Sequence, residues 1–138
     1  MEIIIWKQEM SVGVDSMDNE HKILFSIYND LVKSANEHRG GEGLRYSSEV
    51  WERLYNFINT HFDNEERLML ESGYDDIERH ILEHENFIRR IVKMHESVSF
   101  NSGNILQLCL LLRGWLLNHI AIVDRGYAIF VQKSQGKQ

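Results

Sequence analysis

The sequence predicts an all-α fold, an up-down-up-down antiparallel four-helix bundle with an N-terminal arm. Three observations predict it. Proline is absent from all 138 residues, and proline is the residue long helices tolerate least. Glycine punctuates the chain at Gly40, Gly41 and Gly43, at Gly73, and in Asn101-Ser102-Gly103, as expected of breaks between elements. Between those breaks the apolar residues recur at helical spacing and do not alternate.

Each element follows from its own pattern, within a single domain spanning 1–138. An arm over about 1–15 carries the apolar triplet Ile3-Ile4-Ile5 and Trp6. A first helix over about 16–38, with Ser16 as N-cap, places Leu24, Tyr28, Leu31, Val32 and Ala35 on one stripe. A second, over about 44–72, carries Trp51, Leu54, Ile58, Phe62, Leu68 and Met69. A third, over about 76–97, carries Ile77, Ile81, Phe87, Ile88 and Ile91; Asp75 with Glu78 three residues later resembles a capping box. A fourth, over about 103–132, carries Leu108, Leu112, Trp115, Leu116, Ile122 and Val123, and a polar tail over 133–138 is expected to fray. Long helices with short loops imply antiparallel neighbours.

Composition narrows the function classes. Hydrophobic residues at 43% and charged residues at 26% are the balance of a soluble globular protein. Fifteen Lys+Arg against 21 Asp+Glu give −6, so nucleic acid and anionic membranes are poor candidate partners. Cys109 stands alone, which excludes an internal disulfide framework and makes a cytoplasmic location the expectation. The start has Glu2 where a signal peptide has basic residues. The most apolar stretch, 105–123, is interrupted by Gln107, Arg113, Asn118 and His119, so membrane insertion is not expected.

The chemistry lies in what interrupts the apolar stripes. His21 precedes Leu24 by three residues. His61 and Glu65 continue the row of Leu54 and Ile58. His80 and His84 sit among Ile77, Ile81 and Phe87, and His119 follows Trp115 by four, with Asp124 five further on. A single inward histidine is ordinarily a hydrogen-bonded core residue. A carboxylate in a dry core is harder to dismiss, because it needs a partner or must neutralise itself. The i,i+4 pairs His61/Glu65 and His80/His84 each share one helix face, a spacing suited to one ion. His119 and Asp124 are less tidy, about 140° apart on an ideal wheel.

Depth joins them. Counted outward from the predicted loops of an antiparallel bundle, His21, His61, Glu65, His80, His84, His119 and Asp124 all fall in one slab, at the end opposite the first and third loops. Unrelated buried polar residues have little reason to align in this way. Five imidazoles and two carboxylates exceed the four ligands of a tetrahedral zinc. They suit two ions of higher coordination sharing carboxylates, and a mixed imidazole–carboxylate octahedral set favours iron. No histidine has a glutamate three residues before it, so the carboxylate-rich Glu-x-x-His pattern of ferritin-like proteins is absent. Fewer anionic ligands stabilise high iron valence less, which favours binding and release of oxygen over forming a strong oxidant.

These residues carry a resemblance. VGVDSMDNEH ending at His21, HFDNE from His61 to Glu65, HILEH from His80 to His84, and HIAIVD from His119 to Asp124 resemble the motifs of a hemerythrin of the single-domain bacterial kind. The likeness runs from Trp6 to about Phe130, and each family ligand position holds the expected residue type. The resemblance implies two iron ions. His80, His84 and His119 would hold one, and His21 and His61 the other, leaving it an open position. Glu65, Asp124 and a solvent-derived oxo or hydroxo group would bridge them. Dioxygen would bind end-on at the open iron, take one electron from each iron and the bridge proton, and leave by the reverse steps. Leu24, Trp115, Leu116 and Ile120 match positions of the family's oxygen pocket and would form a dry wall over the open iron. Phe62, Tyr74 and Tyr127 also look family-like.

The function expected is therefore reversible dioxygen binding for storage, delivery or buffering, not enzymatic turnover. Alternatives are an oxygen or redox sensor acting on a separate protein, and a peroxide or nitric-oxide scavenger. His38 and His95 lie outside the slab and are expected in solvent, and Cys109 as a small buried side chain. Gly114 and Gly126 are costly inside a helix; close packing, or a route for small gases past Gly114, would explain them. The fourth helix is apolar on more than one side from Leu106 to Leu112. That surplus calls for cover by the arm, by a second copy in a homo-oligomer, or by a protein partner.

Overall fold

The computed structural model describes residues 3–37, 41–97, 102–120 and 125–135. Four long helices make the body: α1 (Asp15–Glu37), α2 (Gly41–Ser72), α3 (Ile77–Ser97) and α4 (Ser102–Asn118), followed by α5 (Arg125–Gln135). Helix α1 packs on α2 and α4, and α3 packs on α2 and α4. Short connections and this ring of neighbours make an up-down-up-down four-helix bundle. Among the described residues no helix is long and apolar enough to cross a membrane.

The stripes read from the sequence become the core. Tyr28, Leu31 and Val32 of α1, Leu54 and Ile58 of α2, Phe87 and Ile91 of α3, and Leu108 and Leu112 of α4 are buried. Each such side chain is worth about 1.5–3 kcal/mol on removal from water. Leu68, Ile77, Ile88 and Trp115 lie partly buried at the edge of this cluster.

The helix ends differ in detail from expectation. Helix α1 starts at Asp15, and the Val14 carbonyl accepts the first bond, from the Asp18 N–H (2.9 Å). Ser16 is therefore already inside the first turn. The polar tie comes from Asp18 instead, whose carboxylate accepts the Val12 N–H (2.9 Å) and the Ser11 hydroxyl. Helix α2 begins at Gly41, inside the glycine-rich break, and ends at Ser72, followed by Gly73, whose φ of +69° suits glycine. There the Tyr74 N–H reaches the Met69 carbonyl (3.0 Å) and the Gly73 N–H that of Leu70 (3.3 Å), a Schellman closure. The turn runs on through Tyr74, whose carbonyl accepts the Ile77 N–H, so Asp76, not Asp75, supplies the carbonyl for His80 (3.1 Å).

The fourth segment is not one regular helix. α4 gives way to π-helical backbone at His119 and Ile120, and α-helix resumes at Arg125 and reaches Gln135, past the start of the expected fraying tail. Among the described residues nothing lies within 4 Å of a Cβ placed at Gly114, so close packing does not explain it. A Cβ on Gly126 would make only ordinary contact, 3.9 Å from the Tyr74 hydroxyl.

The arm is fastened at Ile4. Its N–H donates to Asn29 Oδ1 and its carbonyl accepts from Asn29 Nδ2, both at 2.7 Å, and its side chain is buried. Trp6 leans on Phe25 and takes the Lys22 ammonium over its face at 5.2 Å. Arg113 of α4 donates to the Ile3 carbonyl (3.4 Å), yet Leu110 on the same helix stays 59% exposed. The arm therefore covers α1 more than the apolar excess of α4.

Candidate metal centre

The ligand candidates occupy rows that are otherwise apolar. In α2, Leu54, Ile58, His61, Glu65 and Met69 follow one another at spacings of four and three, and all are buried. Helix periodicity therefore carries His61 and Glu65 inward with the leucines. His21 in α1, His80 and His84 in α3, and His119 at the end of α4 arrive in the same way. None of these six side chains is more than 3% exposed. Asp124 and His38 lie outside the described residues.

The six form two groups that share one carboxylate. Ligand-type atoms of Glu65, His80, His84 and His119 lie within 4.8 Å of one another, and so do those of His21, His61 and Glu65. Glu65 Oε1 faces the first group, at 2.5 Å from His80 Nε2, 3.1 Å from His84 Nε2 and 3.4 Å from His119 Nε2. Glu65 Oε2 faces the second, at 3.3 Å from His61 Nε2. The His21 and His61 rings meet edge-on, with centroids 5.1 Å apart.

The electrostatics of Glu65 are decided by its neighbours. Burial alone would raise its carboxyl pKa; hydrogen bonding to His119, His61, His80 and His84 outweighs burial and holds it well below the usual carboxylate range. The buried carboxyl is therefore an anion gripped by imidazoles. Oε2 and His61 Nε2, 3.3 Å apart, are nonetheless not aligned as a full hydrogen bond, and among the described residues Oε2 makes no other. A buried carboxylate oxygen without a donor is costly. It is an available ligand atom, and the residues present fit a bound cation.

Two residues that the sequence argument missed complete the setting. Glu20 Oε1 lies 2.8 Å from His61 Nδ1, and Glu66 Oε2 lies 2.8 Å from His84 Nδ1. Their signal was local, since Glu20 directly precedes His21 and Glu66 directly follows Glu65.

Aromatic rings wall the centre. Phe62 stacks face to face on His84 at 3.7 Å, in direct contact with the site. Trp115 stacks on His119 (4.4 Å, 13°) and on Phe87 (3.7 Å, 9°). That places Trp115 against the three-histidine group. It is half-buried and borders a surface cavity of about 310 Å³ with Arg79, Glu83 and Arg90. Leu24, Leu116 and Ile120 are buried. Tyr74 approaches His80 edge-on at 6.5 Å, and Tyr127 stands behind it, 5.1 Å away, sharing its hydroxyl with Ser72.

Two further residues lie outside the centre. His95 is not in open solvent: it stacks on Trp51 (4.4 Å, 14°), and burial lowers its pKa. Cys109 is buried, and burial pushes its thiol up to about 12, so it is no nucleophile.

The sequence profile of the hemerythrin HHE cation binding domain matches residues 12–128. A bacteriohemerythrin of Pseudomonas aeruginosa (strain PAO1 and its synonyms) is 33% identical over 138 residues, covering 97% of this chain and 85% of that one. A bacteriohemerythrin of Clostridium acetobutylicum is 27% identical, covering 91% and 98%. A myohemerythrin of Theromyzon tessulatum is 30% identical, covering 88% of each chain. The match spans every helix that contributes a side chain to the buried cluster, and the chain belongs to the hemerythrin family.

Proposed function

We propose that this chain binds dioxygen reversibly at a di-iron centre and serves oxygen storage, delivery or buffering. Hemerythrins are iron-holding, oxygen-binding proteins rather than enzymes. The observation that carries the reading is the placement of Glu65, with one oxygen toward His80, His84 and His119 and the other toward His61. A single buried carboxylate presented to two imidazole groups is the arrangement two neighbouring cations need.

In this reading His80, His84 and His119 would hold one iron, and His21 and His61 the other, with Glu65, Asp124 and a solvent-derived oxo or hydroxo group shared between them. Two irons so held supply the reversible two-electron chemistry of dioxygen uptake. The protein's own part is to hold and to exclude. The group with two imidazoles has one ligand fewer, which leaves the room for dioxygen on that side. Leu24, Leu116 and Ile120, all buried, would with Trp115 keep water from the dioxygen side, and so slow the protonation that would turn reversible binding into irreversible oxidation.

Metal analysis with an oxygen-titrated absorption spectrum of anaerobically iron-loaded protein tests the reading. Two irons per chain and a visible band that comes with oxygen and goes on its removal are expected. Irreversible bleaching on first exposure would sink the carrier assignment.

A further inference from the structure

We propose that Glu20 and Glu66 are positioning residues of the metal centre, each fixing the tautomer of one imidazole from the neighbouring helix so that its Nε2 faces the metal. The inference rests on the di-iron reading of the site. Both contacts have the same form, a carboxylate oxygen 2.8 Å from a histidine Nδ1. The opposite nitrogen of each ring is the one near Glu65, at 3.1 Å for His84 and 3.3 Å for His61. An ionised carboxylate only accepts hydrogen bonds. Each Nδ1 therefore donates its proton to its carboxylate, so that when a cation takes the place of the proton Nε2 shares with Glu65, the neutral ring presents its Nε2 lone pair to the metal.

The construction repeats along the bundle for a simple geometric reason. Successive residues of an α-helix are turned by about 100°. Glu20 sits beside inward-facing His21, and Glu66 beside inward-facing Glu65, so each carboxylate is rotated out of the core into a seam between helices. Glu20 on α1 thus reaches His61 on α2, and Glu66 on α2 reaches His84 on α3. One ring in each metal group is held in this way. With side-chain exposures of 22% and 26%, both carboxylates keep part of their hydration, which spares them the cost of a buried charge. Glu66 opens onto a groove of about 640 Å³ between α2 and α3, bordered by His84, Glu85, Arg89 and Lys93. A negative charge one ring away from the metal also makes the imidazole a stronger donor, which favours the ferric state and lowers the midpoint potential.

The test uses the full chain loaded anaerobically with ferrous iron. Affinity is read by chelator competition and the midpoint potential by spectroelectrochemical titration. Glu66→Ala is expected to weaken iron binding about 10–100-fold. Glu66→Gln keeps an oxygen that accepts the Nδ1 proton but carries no charge; it should restore most of the affinity while raising the midpoint potential. Glu85→Gln removes a charge from the same groove and should move neither quantity. Unchanged affinity and potential in both Glu66 variants would overturn the proposal. So would a Gln variant as weak as the Ala variant, or a Glu85→Gln shift as large as that of Glu66→Gln. A parent chain that takes up no iron would instead remove the di-iron reading, and this inference with it.

Discussion

The two ends of the bundle are built by the same helices and the same periodicity, but they are held together differently. Toward one end the inward rows carry Leu31, Leu54, Ile91 and Leu108; toward the other the same rows carry His21, His61, Glu65, His80, His84 and His119. A buried leucine stabilises the fold through any close-packed neighbours. A buried carboxylate does so only while specific partners offset its desolvation. The difference teaches that the apolar end is self-sufficient, whereas the polar end is stable on condition that its imidazoles, and the cations they fit, stay in place.

The largest effect that would sharpen this comparison is expected at Glu65. Glu65→Ala removes the carboxylate that, among the described residues, both groups share, so iron affinity should fall by more than the roughly 10–100-fold that an outer partner carries. The oxygen-dependent band should vanish while the far-ultraviolet helix signal persists. Metal analysis and circular dichroism on one preparation read both. Loss of the helix signal together with the iron would show that the polar end, too, holds up the fold.

The next effect belongs to the apolar end. Leu54→Ala should cost about 2–5 kcal/mol of stability, and by the same amount in metal-free and iron-loaded protein. Urea denaturation of the two forms checks it. A cost confined to the loaded form would break the comparison, because the two ends would then not be independent.

The smallest effect is expected at His95, stacked on Trp51 away from the centre. His95→Gln should leave iron content unchanged. Its folded pKa is lowered by burial, so its neutral form is favoured in the native state. The associated stability is then present above the unfolded value of about 6.5 and is lost as pH falls from there toward the folded pKa. Denaturation midpoints of parent and variant between pH 5 and 8 should converge on the acid side by a few tenths of a kcal/mol, roughly the reach of a partly exposed group.

The legibility of the site varied residue by residue. The i,i+4 pairs His61/Glu65 and His80/His84 were readable because a single helix turn fixes their mutual position. Phe62 was singled out from its neighbours, but its flat stack on His84 depends on how α2 sits against α3. Trp115 was legible as a pocket candidate, but its stack on His119 depends on how α4 turns against α3. The caps moved by a residue or so, from Ser16 to Val14 and from Asp75 to Asp76, because carbonyl bonding at a helix start is decided by the incoming chain. His95 was placed in solvent because its partner, Trp51, is far away in sequence.

The amino-acid sequence alone determined the helical class, the inward rows and the residue types that interrupt them, because helix periodicity is local and hydrophobic burial obeys it. The tertiary structure decided which oxygen of Glu65 faces which imidazoles, which ring each of Glu20 and Glu66 holds, and where the aromatic wall stands. Those are relations between different helices. They depend on the rotation and height of one helix against the next, quantities that no single segment carries in its own pattern.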